Sequence, residues 1–184
     1  MRNTLILLIF ILSVQSYSQE QFDFRKTSWG MSKELVKKSE TSKYLNGDES
    51  ILVYESAITG YECLIAYIFT NNILVRTKYI IKESYSNQKN YDSDYNKFKK
   101  FLTEKYGQPT SDEEDWKDDT FKNEYSYWGY AISQGHVKYL TMWETNTTDI
   151  TEAFILQEDE VSIGIQYSSK KYHDLEKNNT LKDF

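Results

Sequence analysis

Three groups of residues in this sequence have the types and spacing to do chemistry. The first is acidic, Asp112-Glu113-Glu114-Asp115-Trp116-Lys117-Asp118-Asp119. Calcium takes six or more oxygens, and this run can supply several, but the Asp-x-Asp-x-Asp-Gly spacing and distal glutamate of an EF-hand are missing. It reads as a solvated loop, Ser111 to Thr120, that Trp116 pins to the body, and no metal site is assigned.

The second group is nucleophilic. His136 stands in a turn-to-strand position and His173 in a polar tail, and no Gly-x-Ser-x-Gly elbow is present to activate a serine. Cys63, the single cysteine, lies mid-strand between apolar neighbours, where a thiol behaves as a small inert hydrophobe. Transition metals need clusters of His or Cys that the chain does not have. No catalytic residue and no cofactor follow from these residues. The third group is aromatic: Tyr125, Tyr127, Trp128, Tyr130, Tyr139 and Trp143. Tyr and Trp combine an apolar body with a polar tip, and they anchor macromolecular contacts when a strand face leaves them exposed.

The elements that must position these residues come in a repeated order. Phe24 to Glu40 reads as an extended entry, a Trp29-Gly30 corner, and a short helix capped by Ser32, with Met31, Leu35 and Val36 on one face. Lys43 to Asp48 is turn-rich. Ile51 to Glu55 reads as a strand and Thr59-Gly60 as a turn. Tyr61 to Thr70 is apolar on both alternating sets, the pattern of a central strand covered on both sides. Asn71-Asn72 suits a tight hairpin. Ile73 to Ile81 then alternates, with Arg76, Lys78 and Lys82 toward water.

After a polar linker the pattern restarts. Asp92 or Ser93 caps a second helix in which Tyr95, Phe98, Phe101, Leu102 and Tyr106 recur at helical spacing, and Gly107 with Pro109 ends it. Strands return at Tyr125–Ile132, Val137–Glu144, Ile150–Leu156 and Val161–Tyr167. The fold class is therefore α+β, a single domain over 19–169. It has two helix-then-antiparallel-strands halves, about 19–89 and 90–169, with helices on one face of the sheet. A polar tail, 170–184, follows.

Composition sets the compartment and the classes of partner. Arg2, the apolar run Leu5 to Val14 and the small residues Ser16 and Ser18 form a signal peptide over 1–18, giving a mature chain from Gln19. The expectation is a periplasmic or secreted protein, without a lipid-bearing cysteine and without a stable membrane anchor after cleavage. A net charge of −6 disfavours nucleic acid. Sixteen tyrosines favour sheet with a broad, partly wet face.

The stretch Phe24-Arg25-Lys26-Thr27-Ser28-Trp29-Gly30-Met31-Ser32 resembles the start of small secreted bacterial proteins, mostly uncharacterised, that read F-R-x-x-x-W-G-M-S-x-E-x-V. Lys105-Tyr106-Gly107-Gln108-Pro109 and the Trp143 to Ile150 hairpin add to that likeness. The order of elements is also similar to the fold shared by the β-lactamase inhibitor protein and the BamE outer-membrane assembly lipoproteins. The chain lacks the disulfides of the first and the lipidated cysteine of the second, and fold does not imply function. The reading is a non-catalytic binding module that meets an envelope protein or glycan through an aromatic sheet face. The alternative is an envelope hydrolase with a carboxylate pair that the sequence does not identify.

Overall fold

The computed structural model describes residues 22–180 apart from 84, 86, 88, 158 and 159, so the expected signal peptide over 1–18 lies outside the described residues. The elements run α1 (Lys33–Ser39), β1 (Lys43–Gly47), β2 (Ile51–Ile58), β3 (Tyr61–Thr70), β4 (Ile73–Ile81) and α2 (Lys89–Tyr106). They continue with β5 (Ser111–Trp116), α3 (Trp128–Ser133), β6 (Val137–Glu144), β7 (Thr148–Gln157), β8 (Glu160–Ser169) and α4 (His173–Thr180). The protein is a mixed α+β fold. Its strands form one antiparallel eight-stranded sheet in the order β1-β2-β3-β4-β8-β7-β6-β5. Each run of four strands is thus a meander, and their last members, β4 and β8, join them side by side.

The opening corner is built as its residue types require. Ser32 caps α1 by accepting from the Leu35 N–H. Gly30 has φ +92°, and a Cβ placed there would lie 2.6 Å from the Tyr172 hydroxyl oxygen, so both backbone and space call for glycine. Its N–H donates to the Leu74 carbonyl, while the Leu74 N–H donates to that of Met31, which fastens the corner to the start of β4. The Trp29 indole N–H donates to Thr148 Oγ1 at 2.9 Å and its backbone N–H to Asp23, whose other oxygen accepts from Thr147. The segment before α1 therefore closes onto the β6–β7 turn, more than a hundred residues away. Val36 is sealed in the core, whereas Leu35, expected on the same face, is half exposed. A seven-residue helix buries a narrower stripe than the spacing suggested.

Registers place one long row of side chains on a single face: Tyr54, Cys63, Ile65, Tyr67, Tyr79, Ile81, Ile165, Tyr167, Ile150 and Trp143. All are buried. Above them, Phe98 of α2 meets Tyr61, Tyr95 meets Tyr139 and Phe154, and Trp128 of α3 meets Tyr139. The Asn71-Asn72 turn has φ of +52° and +60°, the twist that a two-residue hairpin needs. α2 begins at Lys89, earlier than the Asp92 or Ser93 expected, and ends where Gly107 turns out at φ +89°.

The opposite face departs further from the sequence reading. Residues 173–180, part of the expected tail, form α4, and its Glu176 pairs with Arg76. Arg76 and Lys78 are consequently half-buried, not open to water; burial and the neighbouring Arg76 hold the Lys78 ammonium below its ordinary pKa. The stretch read as turn-rich, Lys43–Gly47, is instead a strand exposed along its length, paired to β2 through a bulge. Bulges and charges are common at sheet edges, where they discourage further pairing.

Two corrections concern the second half. Ser111–Trp116 is not a loop but the edge strand β5, with Asp112 opposite Thr141 and Glu114 opposite Tyr139. The stretch read as a strand, Tyr125–Ile132, is a 3₁₀ turn over Tyr125–Tyr127 followed by α3. Its buried residues, Trp128, Ala131 and Ile132, recur at helical spacing; aromatic content had suggested alternation.

Candidate functional site

α3 is too short to persist unaided and is held by one side chain above all. Trp128 is buried against Trp116, Tyr125 and Tyr139, and its indole N–H donates to the Lys122 carbonyl at 3.2 Å. With that anchor inward, the neighbouring rings face out. Tyr125, Tyr127 and Tyr130 are 51%, 50% and 49% exposed. Phe121 lies between them: Tyr127 stacks on one side at 5.2 Å, Tyr130 meets it edge-on at 5.6 Å, and the His136 ring lies nearly parallel to it at 5.8 Å. Asp118 accepts from Thr120 and approaches His136 at 4.0 Å, which fixes the turn that carries Phe121.

The six aromatic residues singled out by type therefore divide. Tyr125, Tyr127 and Tyr130 share an exposed patch on the β5–β6 connection, while Trp128, Tyr139 and Trp143 belong to the core, with Trp143 1% exposed. The patch is carried by a turn and a helix, not by a sheet face. Two of its members were missed: Phe121 and His136. Their pairing spans fifteen positions and leaves no periodic trace, since ring stacking across a connection is fixed only when both ends are folded.

A cleft of about 680 Å³ lies elsewhere, over the seam between β4, β8 and β7. Its walls include Phe24, Arg25, Tyr106, Lys105 and the Thr145–Thr148 turn, with Tyr79, Tyr167 and Ile150 beneath. Phe24 packs on Tyr79 and Tyr167 at 5.0 Å from each. The cationic groups at its rim already have partners: Arg25 donates to Glu40, and the Lys105 ammonium sits over the Tyr106 ring at 4.9 Å. Among the described residues the lining holds one carboxylate, Asp23, whose oxygens already accept from the Trp29 N–H and the Thr147 hydroxyl.

Among the titratable groups, burial raises the Cys63 thiol to about 11, which suppresses the nucleophilic thiolate. Burial, then the Glu114 charge, raises the Asp92 carboxyl above its ordinary value; neither Asp92 nor Glu114 lines the cleft. No group of three or more His, Cys, Asp or Glu suited to a metal occurs among the described residues, and none of their helices is long and apolar enough to cross a membrane. Comparison of the chain with protein-family models, with curated protein sequences and with solved structures found no match.

Proposed function

We propose that this protein is a non-catalytic binding module of the periplasm or of the secreted fraction, composed of two helix-then-strands halves. In this reading it engages an envelope macromolecule through the patch around Tyr127 and Tyr130. One observation carries the reading: three large tyrosines stand half exposed within six positions, on a connection whose packing is already satisfied by Trp128. Exposed aromatic groups of this density mark contact surfaces more often than ordinary surface, because each anchors a desolvated contact at small entropic cost. The hydrolase alternative has weaker support, since Asp92 and Glu114 do not line the cleft beneath Phe24.

The test is a Tyr127→Ala/Tyr130→Ala double variant. Both rings are half exposed and pack on Phe121, so each truncation should cost about 0.5–1.5 kcal/mol of folding free energy. Trp128→Ala, by contrast, empties a buried site and should cost about 3–5 kcal/mol by chemical denaturation. The double variant is expected to keep its circular dichroism spectrum and to lose the partner captured from envelope extract by the native chain. Retention of every such partner by the folded double variant would overturn the reading.

A further inference from the structure

We infer that the sheet face opposite α2 is a second contact surface, one that takes an apolar segment of a partner protein and pairs its single carboxylate with Lys78. This surface is distinct from the tyrosine patch, which is carried by the β5–β6 connection. Registers stand Lys78 between Ala66 of β3 and Gln166 of β8, at the middle of the sheet. The adjoining row runs Leu64, Ile80, Gly164, Ala153 and Leu140. Its aliphatic side chains are each partly open to water, so this face is aliphatic where an aromatic one was expected. α4 packs on the same side, over Arg76, and runs toward the β3–β4 turn.

Within this apolar setting Lys78 is half-buried, and its ammonium has no hydrogen-bond or ion-pair partner among the described residues. The carboxylates around the face are committed elsewhere: Glu55 to Lys43 and Lys82, Glu176 to Arg76, and Glu144 and Asp149 to Lys170. Arg76, on the same strand and face, adds to the imbalance, since its Nε is also buried without a partner. Burial and the Arg76 charge both disfavour the ammonium, and a carboxylate brought by a partner would offset them. A cationic segment would meet like charge, and a wholly apolar one would seal the ammonium in unpaired. One cation among aliphatic side chains suits one carboxylate set in an apolar strand, whereas an anionic membrane surface is met by clusters of lysines.

The experiment measures fluorescence anisotropy of a labelled peptide carrying one Glu between Leu and Val residues, and of its Gln counterpart, against the full chain. The Glu peptide should bind saturably and about tenfold tighter than the Gln peptide, the range of a charge-assisted hydrogen bond. Lys78→Met keeps the apolar stem and breaks no ion pair, so it should retain its circular dichroism spectrum while binding both peptides equally. Lys78→Arg keeps the charge and should keep the preference. Equal binding of the two peptides by the native chain overturns the inference, as does a preference that survives in Lys78→Met. Vesicles of phosphatidylglycerol bound through Lys78, with no preference between peptides, would assign the face to a lipid headgroup and overturn the protein partner. A dimer in sedimentation that Lys78→Met abolishes would name a second copy as the occupant and overturn it likewise.

Discussion

Glu40 ends α1 in the first half, and Glu152 sits midway along β7 in the second. Both carboxylates are withdrawn from water, yet the fold gives them opposite surroundings. Glu40 accepts from Arg25 Nε at 3.0 Å, from the Tyr67 hydroxyl, and from the backbone N–H groups of Thr41 and Ser42 at 2.8 Å each. Burial alone would raise its pKa; Tyr67, Ser42 and Arg25 together more than offset that and hold it at about 2. Glu152 faces the same side of the sheet as Ile150 and Ile165, and neither of its carboxylate oxygens has a hydrogen-bond partner among the described residues. Burial pushes it up to about 9, with Lys99 opposing and Asp112 adding to the shift. Burial alone, then, does not decide whether a carboxylate ionises. The donors aimed at it do.

The strongest way to break the comparison is to remove Glu40. Glu40→Ala strands the Arg25 guanidinium and the Tyr67 hydroxyl and should cost about 3–5 kcal/mol in chemical denaturation at neutral pH. Because its folded pKa lies below the unfolded value of 4.5, this stabilisation is present above that value and is lost as pH falls toward about 2. The gap between native chain and variant should therefore close in acid; a gap that persists unchanged would mean that Glu40 acts through packing alone.

Glu152→Met is expected to run the other way, stabilising the fold by about 1–4 kcal/mol at mildly alkaline pH. The sign follows from linkage. The folded chain keeps this proton up to about pH 9, while the unfolded chain releases it near 4.5, so native stability falls as pH rises between those values. The advantage of the variant should thus grow from pH 5 to pH 8. Destabilisation at both values would show that the carboxylate has a stabilising role in the fold.

The smallest effects come from a pair of hydroxyl deletions. Tyr67→Phe removes a donor to an ionised carboxylate and should cost about 1.5–3 kcal/mol. Tyr95→Phe removes contacts to Thr141 Oγ1 at 2.9 Å and to the Glu152 carbonyl at 3.1 Å, both neutral, and should cost about 0.5–1.5 kcal/mol. Equal losses on thermal unfolding would indicate that the charge on Glu40 adds nothing to its bond with Tyr67.

Much of the fold is legible in short stretches of sequence. The Asn71-Asn72 hairpin, the strands Tyr61–Thr70 and Ile73–Ile81 beside it, the Ser32 cap and the stop at Gly107 each depend on a few adjacent residues with restricted backbone angles or a clear period. The aromatic stretch Tyr125–Ile132 misled because Tyr and Trp favour strands, although Trp128, Ala131 and Ile132 already carried the helical spacing. Strand parity likewise sets Glu152 between Ile150 and Phe154, so its inward direction is written in the sequence, but its lack of donors is not.

By itself the sequence determined the Asn71-Asn72 and Gly107 turns, the Ser32 cap and the alternation of the strands beside them, because those are local steric preferences. Only the tertiary structure decided that Ser111–Trp116 pairs as an edge strand, that the two meanders meet at β4 and β8, and that Tyr127 and Tyr130 stay outside while Tyr139 and Trp143 are sealed. Those outcomes depend on contacts between residues far apart in the chain. The protonation of Glu40 and Glu152 belongs with them, since a carboxylate's charge is set by donors that reach it from other elements: Tyr67 and Arg25 for one, and none for the other.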